Sequence, residues 1–174
     1  YPFASQPPVR ARRMPLSAFI TAAQRVAEIC DLLEALADDL PRMATPVWRE
    51  AFRLSSTLMP EHNTEMSCVL LPVLVQRTRG DALCETLLKR VMVDYEDSRD
   101  TLPELRDLLE PPTQGRAPVL APEALGFALR CHFEMIRRQT CLETEVLLPL
   151  ANRCLTETDL QAISDARSML EKRA

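Results

Sequence analysis

Apolar residues recur along most of the chain at spacings of three and four, the period of one helical face. The first run carries Ile20, Ala23, Val26, Ala27, Cys30, Leu33 and Leu36. Ser17, just after Pro15, serves as its N-cap, and Leu40-Pro41 closes it. A second run opens at Thr45-Pro46, with proline in the first turn, and carries Trp48, Phe52, Leu58, His62, Met66, Val69 and Val73. Pro60 falls inside that stripe and predicts a kink or short break. Gly80 marks a turn. From about Asp81 to Asp100 a third run brings in Leu88, Val91, Met92 and Tyr95. Thr101 and Glu104 then read as a capping box for a short extra helix through Leu105 and Leu109. A fourth run begins at Pro122-Glu123 and presents Ala128, Cys131, Met135, Gln139, Leu142 and Val146, and after Pro149 a last turn reaches Cys154. Thr156 or Thr158 caps a final amphipathic helix with Leu160, Ile163, Met169 and Leu170, which either closes the bundle or pairs with a second copy as a homodimer.

Four long helices of similar length with short links predict an all-α, up-down-up-down four-helix bundle with a short C-terminal extra helix. Residues 15–174 form one domain without an internal repeat, and PPTQGRAPVLAP (111–122) is a loop inside it. Residues 1–14 are Pro-rich and basic (Arg10, Arg12, Arg13), a solvated arm or one that docks on an acidic partner or nucleic acid. Composition agrees with helices: only 3 Gly and 5% aromatic residues leave little to build hairpins and strands.

The net charge of −4, with acids and bases mixed, makes no general case for nucleic-acid binding. No apolar run approaches the roughly 20 residues of a membrane span. The opening YPFASQPPVRARRMP lacks the apolar core of a secretory signal. Six cysteines without a CxxC or a tight framework spacing read as reduced thiols, as in a cytoplasmic protein.

A bundle holds cofactors on its axis, on side chains from facing helices. The inward polar candidates are His62 with Met66 one turn on, Tyr95, and Gln139 with Glu143 one turn on. In both pairs a proline follows ten residues after the first member, at Pro72 and Pro149.

On these residues the chain resembles the hemerythrin-like (HHE) family. EHNTEMSCVLLPVL and QTCLETEVLLPLA are similar to its two H-x-x-x-E…P segments, and the likeness extends over about residues 15–170. The resemblance implies a bundle with two irons held by histidines and carboxylates from all four helices. Carried over position by position, the family's ligands fall on Ala23, His62, Met66, Tyr95, Gln139 and Glu143, so that only His62 and Glu143 keep the ligand type. One His and one Glu cannot offset the charge of two irons in an apolar core.

The expectation is therefore a vacated metal layer (Ala23, Met66, Tyr95, Gln139) with no cofactor, in which His62 bonds to Glu143, Gln139 or Tyr95. No catalytic triad or phosphate loop replaces the lost chemistry, so a non-enzymatic binding, sensing or regulatory module with a protein or small-molecule partner is expected. The alternatives are a mononuclear iron-type site on His62, Glu143, Glu65 and Tyr95, with oxygen, nitric-oxide or redox sensing, and a soft-metal site using Cys30, Cys131, Met66, Met135 and His62. His132 either reaches the same layer or stays at the edge.

Overall fold

A computed structural model describes residues 14–40, 46–109 and 121–172. The basic arm, the Thr45 start signal and nearly all of the 111–122 loop lie outside the described residues. Within them the chain is all-helical, with five helices and no strand. Helix α1 spans Met14–Asp38. Helix α2 begins with Pro46–Glu65, widens into a π-helical turn at Met66–Leu70, and ends with Leu71–Arg77. Helix α3 spans Ala82–Leu109. Helix α4 repeats the pattern of α2, with Pro122–Leu142, a π turn at Glu143–Leu147, and Leu148–Cys154. Helix α5 spans Glu157–Glu171. Among the described residues no helix is long and apolar enough to cross a membrane.

The buried positions of three helices fall into heptad-like ladders. In α1 these are Leu16, Phe19, Ala23, Val26, Cys30, Leu33 and Ala37; in α3, Leu88, Val91, Tyr95, Ser98, Leu105 and Leu109; in α4, Leu125, Leu129, Phe133, Ile136, Thr140, Glu143, Leu147 and Leu150. Alternating steps of three and four keep one seam facing neighbouring helices. Helix α1 packs on α2 and α4, α2 on α3, and α3 on α4. The apolar core divides in two: one cluster holds Phe19, Met66, Tyr95 and Leu147, the other Val26, Trp48, Leu105 and Phe133. Between them lie His62, Ser98, Thr140 and Glu143, all buried and polar.

The structure corrects several local expectations. Helix α1 is already helical at Met14, so Ser17 lies inside it rather than capping it. Phe19 is fully buried while Ile20 is 43% exposed, and Met92 is 41% exposed. The inward face of α4 runs through Leu129, Phe133, Ile136 and Thr140, beside the stripe expected through Ala128, Cys131, Met135 and Gln139. Neither Pro60 nor Pro103 ends a helix. Helix α2 runs through the first without a break, and α3 through the second, so no separate helix forms at Leu105. A proline near the outer face loses one hydrogen bond but leaves the packed seam intact.

The backbone departs from α geometry before Pro72 and Pro149 instead. The Leu71 N–H bonds to the Met66 carbonyl and the Leu148 N–H to the Glu143 carbonyl, each five residues back. A proline ring clashes with the carbonyl four residues before it, and one widened turn relieves the clash. Between α2 and α3 the chain reverses through Gly80, whose φ of +92° is a left-handed value that favours glycine. The Asp81 carboxylate then accepts from the Leu83 and Cys84 N–H groups and starts α3.

Helix α5 lies across one end, against α1 and the π turn of α2. Leu160 and Ile163 are buried there, whereas Met169 is exposed. Of the two candidate caps it is Thr156 that acts, in a reciprocal box with Asp159. Arg77 at the end of α2 grips Asp159 with two bonds, 2.7 and 2.8 Å. That guanidinium holds the Asp159 carboxyl well below the usual carboxylate range. A depressed carboxyl contributes stability above its unfolded value, near 4, and loses it as pH falls through the folded one. Thr156→Ala should lower the unfolding free energy by about 1 kcal/mol in urea titrations, with Thr158→Ala close to neutral. The extra stability that Arg77 and Asp159 confer should fade only below about pH 4, and Asp159→Asn should abolish that pH dependence.

Candidate functional site

A carboxylate from α4 lies buried between the helices. Glu143 is 1% exposed and opens the π turn of its helix. Its Oε2 lies 2.7 Å from Nε2 of His62 on α2, and its Oε1 accepts from the hydroxyl of Tyr95 on α3. Three helices thus meet at one carboxylate, with a donor on each oxygen. Against an ionised Glu143, Nε2 is the protonated ring nitrogen. Charge-assisted bonds of this kind are what allow a carboxylate to be buried. Burial pushes the Tyr95 phenol well up, and the charge of Glu143 pushes the same way. Tyr95 is therefore a proton donor and not a phenolate.

Around this centre is a rim of weaker contacts. The Gln139 amide reaches Asn63 Oδ1 at 3.5 Å, and Asn63 Nδ2 donates to Ser98 Oγ at 3.0 Å. The Thr140 hydroxyl is turned back onto the Ile136 carbonyl. The other ring nitrogen of His62, Nδ1, has no protein partner. A cavity of about 10 Å³ lies beside the ring, walled by Ser98, Gln139, Thr140 and Glu143 among others. That is about the space of one water molecule.

The six positions to which the resemblance assigns ligands have separate fates. His62, Tyr95 and Glu143 are brought into direct contact. Gln139 sits half-buried at the rim, its amide in reach of both the Tyr95 hydroxyl and Asn63 Oδ1. Met66 is fully buried in the same apolar cluster as Tyr95. Ala23 is fully buried one turn from Phe19 of one cluster and Val26 of the other, at the level of the polar layer. Ser98 and Thr140 belong to this layer too and were not foreseen. Their signal was the heptad step, three residues from Tyr95 and from Glu143 respectively.

The wider ligand sets do not assemble. Glu65 turns away from His62 to pair with Arg167 of α5 at 3.0 Å, and Arg167 also lies over the Phe19 ring. This removes Glu65 from the expected mononuclear set. His132 stays half-buried near Glu104, and burial pushes its imidazole down. Cys30 is enclosed in the apolar core, where burial raises its thiol to about 12, whereas Cys131 is exposed. The expected soft-metal set is therefore divided between core and surface. Among the described residues, no three His, Cys, Asp or Glu side chains converge as a metal site. Two irons do not fit these residues: Ala23 has no donor, Met66 offers only a thioether, and both oxygens of Glu143 already accept hydrogen bonds.

No protein-family profile, curated protein or solved structure matches this chain.

The energetics of the centre are testable. Glu143→Leu strands the His62 and Tyr95 donors in the core and should cost about 3 kcal/mol in urea unfolding. Replacing all three partners (His62→Leu, Tyr95→Phe, Glu143→Leu) removes the orphaned groups together. It should recover most of that loss or exceed the parent stability.

Proposed function

We propose that this chain is a hemerythrin-like up-down-up-down four-helix bundle with a short extra helix, whose di-iron layer has been refilled by a hydrogen-bonded core. On this reading it acts as a non-enzymatic binding, sensing or regulatory module. The observation that carries the proposal is the pairing of twin π turns with the Glu143 centre. Met66 and Glu143 each open a π turn, six residues before Pro72 and Pro149, on the two helices to which the resemblance assigns most ligands. Isolated π turns concentrate at functional sites because they reposition one side chain without ending the helix. Here they present a thioether and an already satisfied carboxylate.

A binding role follows from what the centre leaves undone. Glu143 is engaged on both oxygens, His62 spends its Nε2 there, and Tyr95 is held as a donor. His62 Nδ1 faces only a cavity the size of one water, so none of the three is open to a substrate as nucleophile or general base. The protein should therefore act through what it binds on its surface or in its grooves.

The test is elemental analysis and a visible spectrum of protein purified without chelator, with iron(II) added to a second portion under nitrogen. Substoichiometric metal, no charge-transfer band and no thermal stabilisation by iron are expected. Two irons per chain with such a band would overturn the reading.

A further inference from the structure

Helices α2 and α3 enclose a cavity of about 420 Å³ that opens to solvent beside, and not within, the Glu143 centre. Its size is that of a small-molecule site. Three features of its wall are unusual for a crease between two helices.

The first is a pair of unspent hydroxyls. Ser55 and Ser56 line the cavity, and both Oγ atoms are buried without a hydrogen-bond partner. Ser55 is only 3% exposed. Helical Ser and Thr ordinarily bond to the carbonyl four residues back. Their neighbours Thr57, Thr64 and Ser67 all do so. A hydroxyl left buried and unpaired loses its water without replacement, and a ligand group restores that bond.

The second feature is that two prolines inside helices line the same cavity, Pro60 of α2 and Pro103 of α3. Neither has an N–H to give to the carbonyl four residues earlier, on Ser56 and Arg99, and both of those residues also line the cavity. The wall therefore carries backbone acceptors to which the helix itself supplies no proline donor.

The third feature is charge. Arg99 and Arg106 stand at the mouth with one carboxylate, Glu96. Among the described residues Arg99 pairs only with its exposed sequence neighbour Asp100, at 3.7 Å, and its side chain is 73% exposed. Arg106 makes no ion pair among the described residues. In the crease between α1 and α2, by contrast, Arg53 is already held by two bonds to Glu50. Between mouth and floor, Met92 and Leu102 supply apolar wall.

We propose that this cavity is a binding site for a small amphipathic organic anion. Its carboxylate, or an equivalent acid group, meets Arg99 and Arg106. Its apolar body lies along Met92, Leu102 and the two prolines. A hydroxyl or N–H group on the ligand satisfies Ser55, Ser56 and the acceptors left by Pro60 and Pro103. The site goes beyond the proposal for the core and does not depend on the core's metal content.

Two probes test it. 8-Anilino-1-naphthalenesulfonate carries an acid group, an apolar body and an N–H donor, and its fluorescence reports binding. 3-Hydroxydecanoate, against its methyl ester, asks whether an acid group is required. A saturable one-to-one titration is expected, displaced by the hydroxy acid and not by the ester. Arg99→Ala/Arg106→Ala should weaken binding by about tenfold or more. Ser55→Ala/Ser56→Ala should weaken it severalfold. Arg130→Ala, which removes a cation paired with Asp38 on another face, should change nothing. The arginines are at the surface, so circular dichroism and urea midpoints should match the parent. Non-saturable fluorescence, or equal affinity with and without Arg99 and Arg106, overturns the proposal. Iron found in the core would overturn the reading of the centre while leaving this result standing.

Discussion

Burying one carboxylate constrains much of this fold. A negative charge in a packed helical core is tolerated only if hydrogen-bond donors replace the water it has lost. Glu143 has two such donors, each from a different helix. That requirement sets the register of α2 and α3 against α4, because the His62 ring and the Tyr95 hydroxyl must arrive at one level. Apolar packing alone tolerates slippage between heptads. A hydrogen-bonded layer with three partners does not, since a slip leaves several polar groups unpaired together.

The same constraint explains why the apolar core comes in two blocks. Phe19, Met66 and Leu147 pack on the side of the layer closed by α5, and Val26, Trp48 and Phe133 on the other. Arg77 with Asp159, and Arg167 with Glu65, tie α5 to the second half of α2 and so lock the first block. Glu65 is a useful contrast to Glu143. One residue's shift around the helix turns it from the axis toward a cation at the edge, where a partly exposed ion pair costs little.

Much of the helical content was legible because it rests on periodicity and on proline and glycine punctuation. The starts at Pro46 and Pro122 and the turn at Gly80 follow from local chemistry, as does a threonine cap on the last helix, which the sequence left between Thr156 and Thr158. What was misjudged had non-local causes. On α4, Gln139 drew attention as the family-like position, yet Thr140 is on the packed seam. A threonine that bonds back to its own helix can be buried at little cost, which composition does not reveal. On α2, Pro60 was the expected irregularity, but the backbone widened before Pro72, where the adjoining turn carries a core layer. Pro103 was expected to start a new helix, but Leu105 and Leu109 continue the packed seam of α3 and hold the helix together through it. In each case tertiary packing outweighed a local signal. For the candidate site, the contact of His62 with Glu143 was one of three alternatives, beside Gln139 and Tyr95, that a shared inward face left open. The diversion of Glu65 to Arg167 could not be anticipated, because it depends on where α5 docks.

The core layer and the groove between α2 and α3 share Tyr95 and Asn63. Tyr95 lines the groove, while its hydroxyl is committed to Glu143. Asn63 lines it as well and is fixed by Ser98. A binding surface gains affinity when its walls are ordered before the ligand arrives, because less side-chain entropy is lost on association. A hydrogen-bonded layer behind the groove supplies that order. The polar residues between these helices need not act on a ligand to matter for binding: by holding Tyr95 and Asn63 still, they give the groove a floor of defined shape.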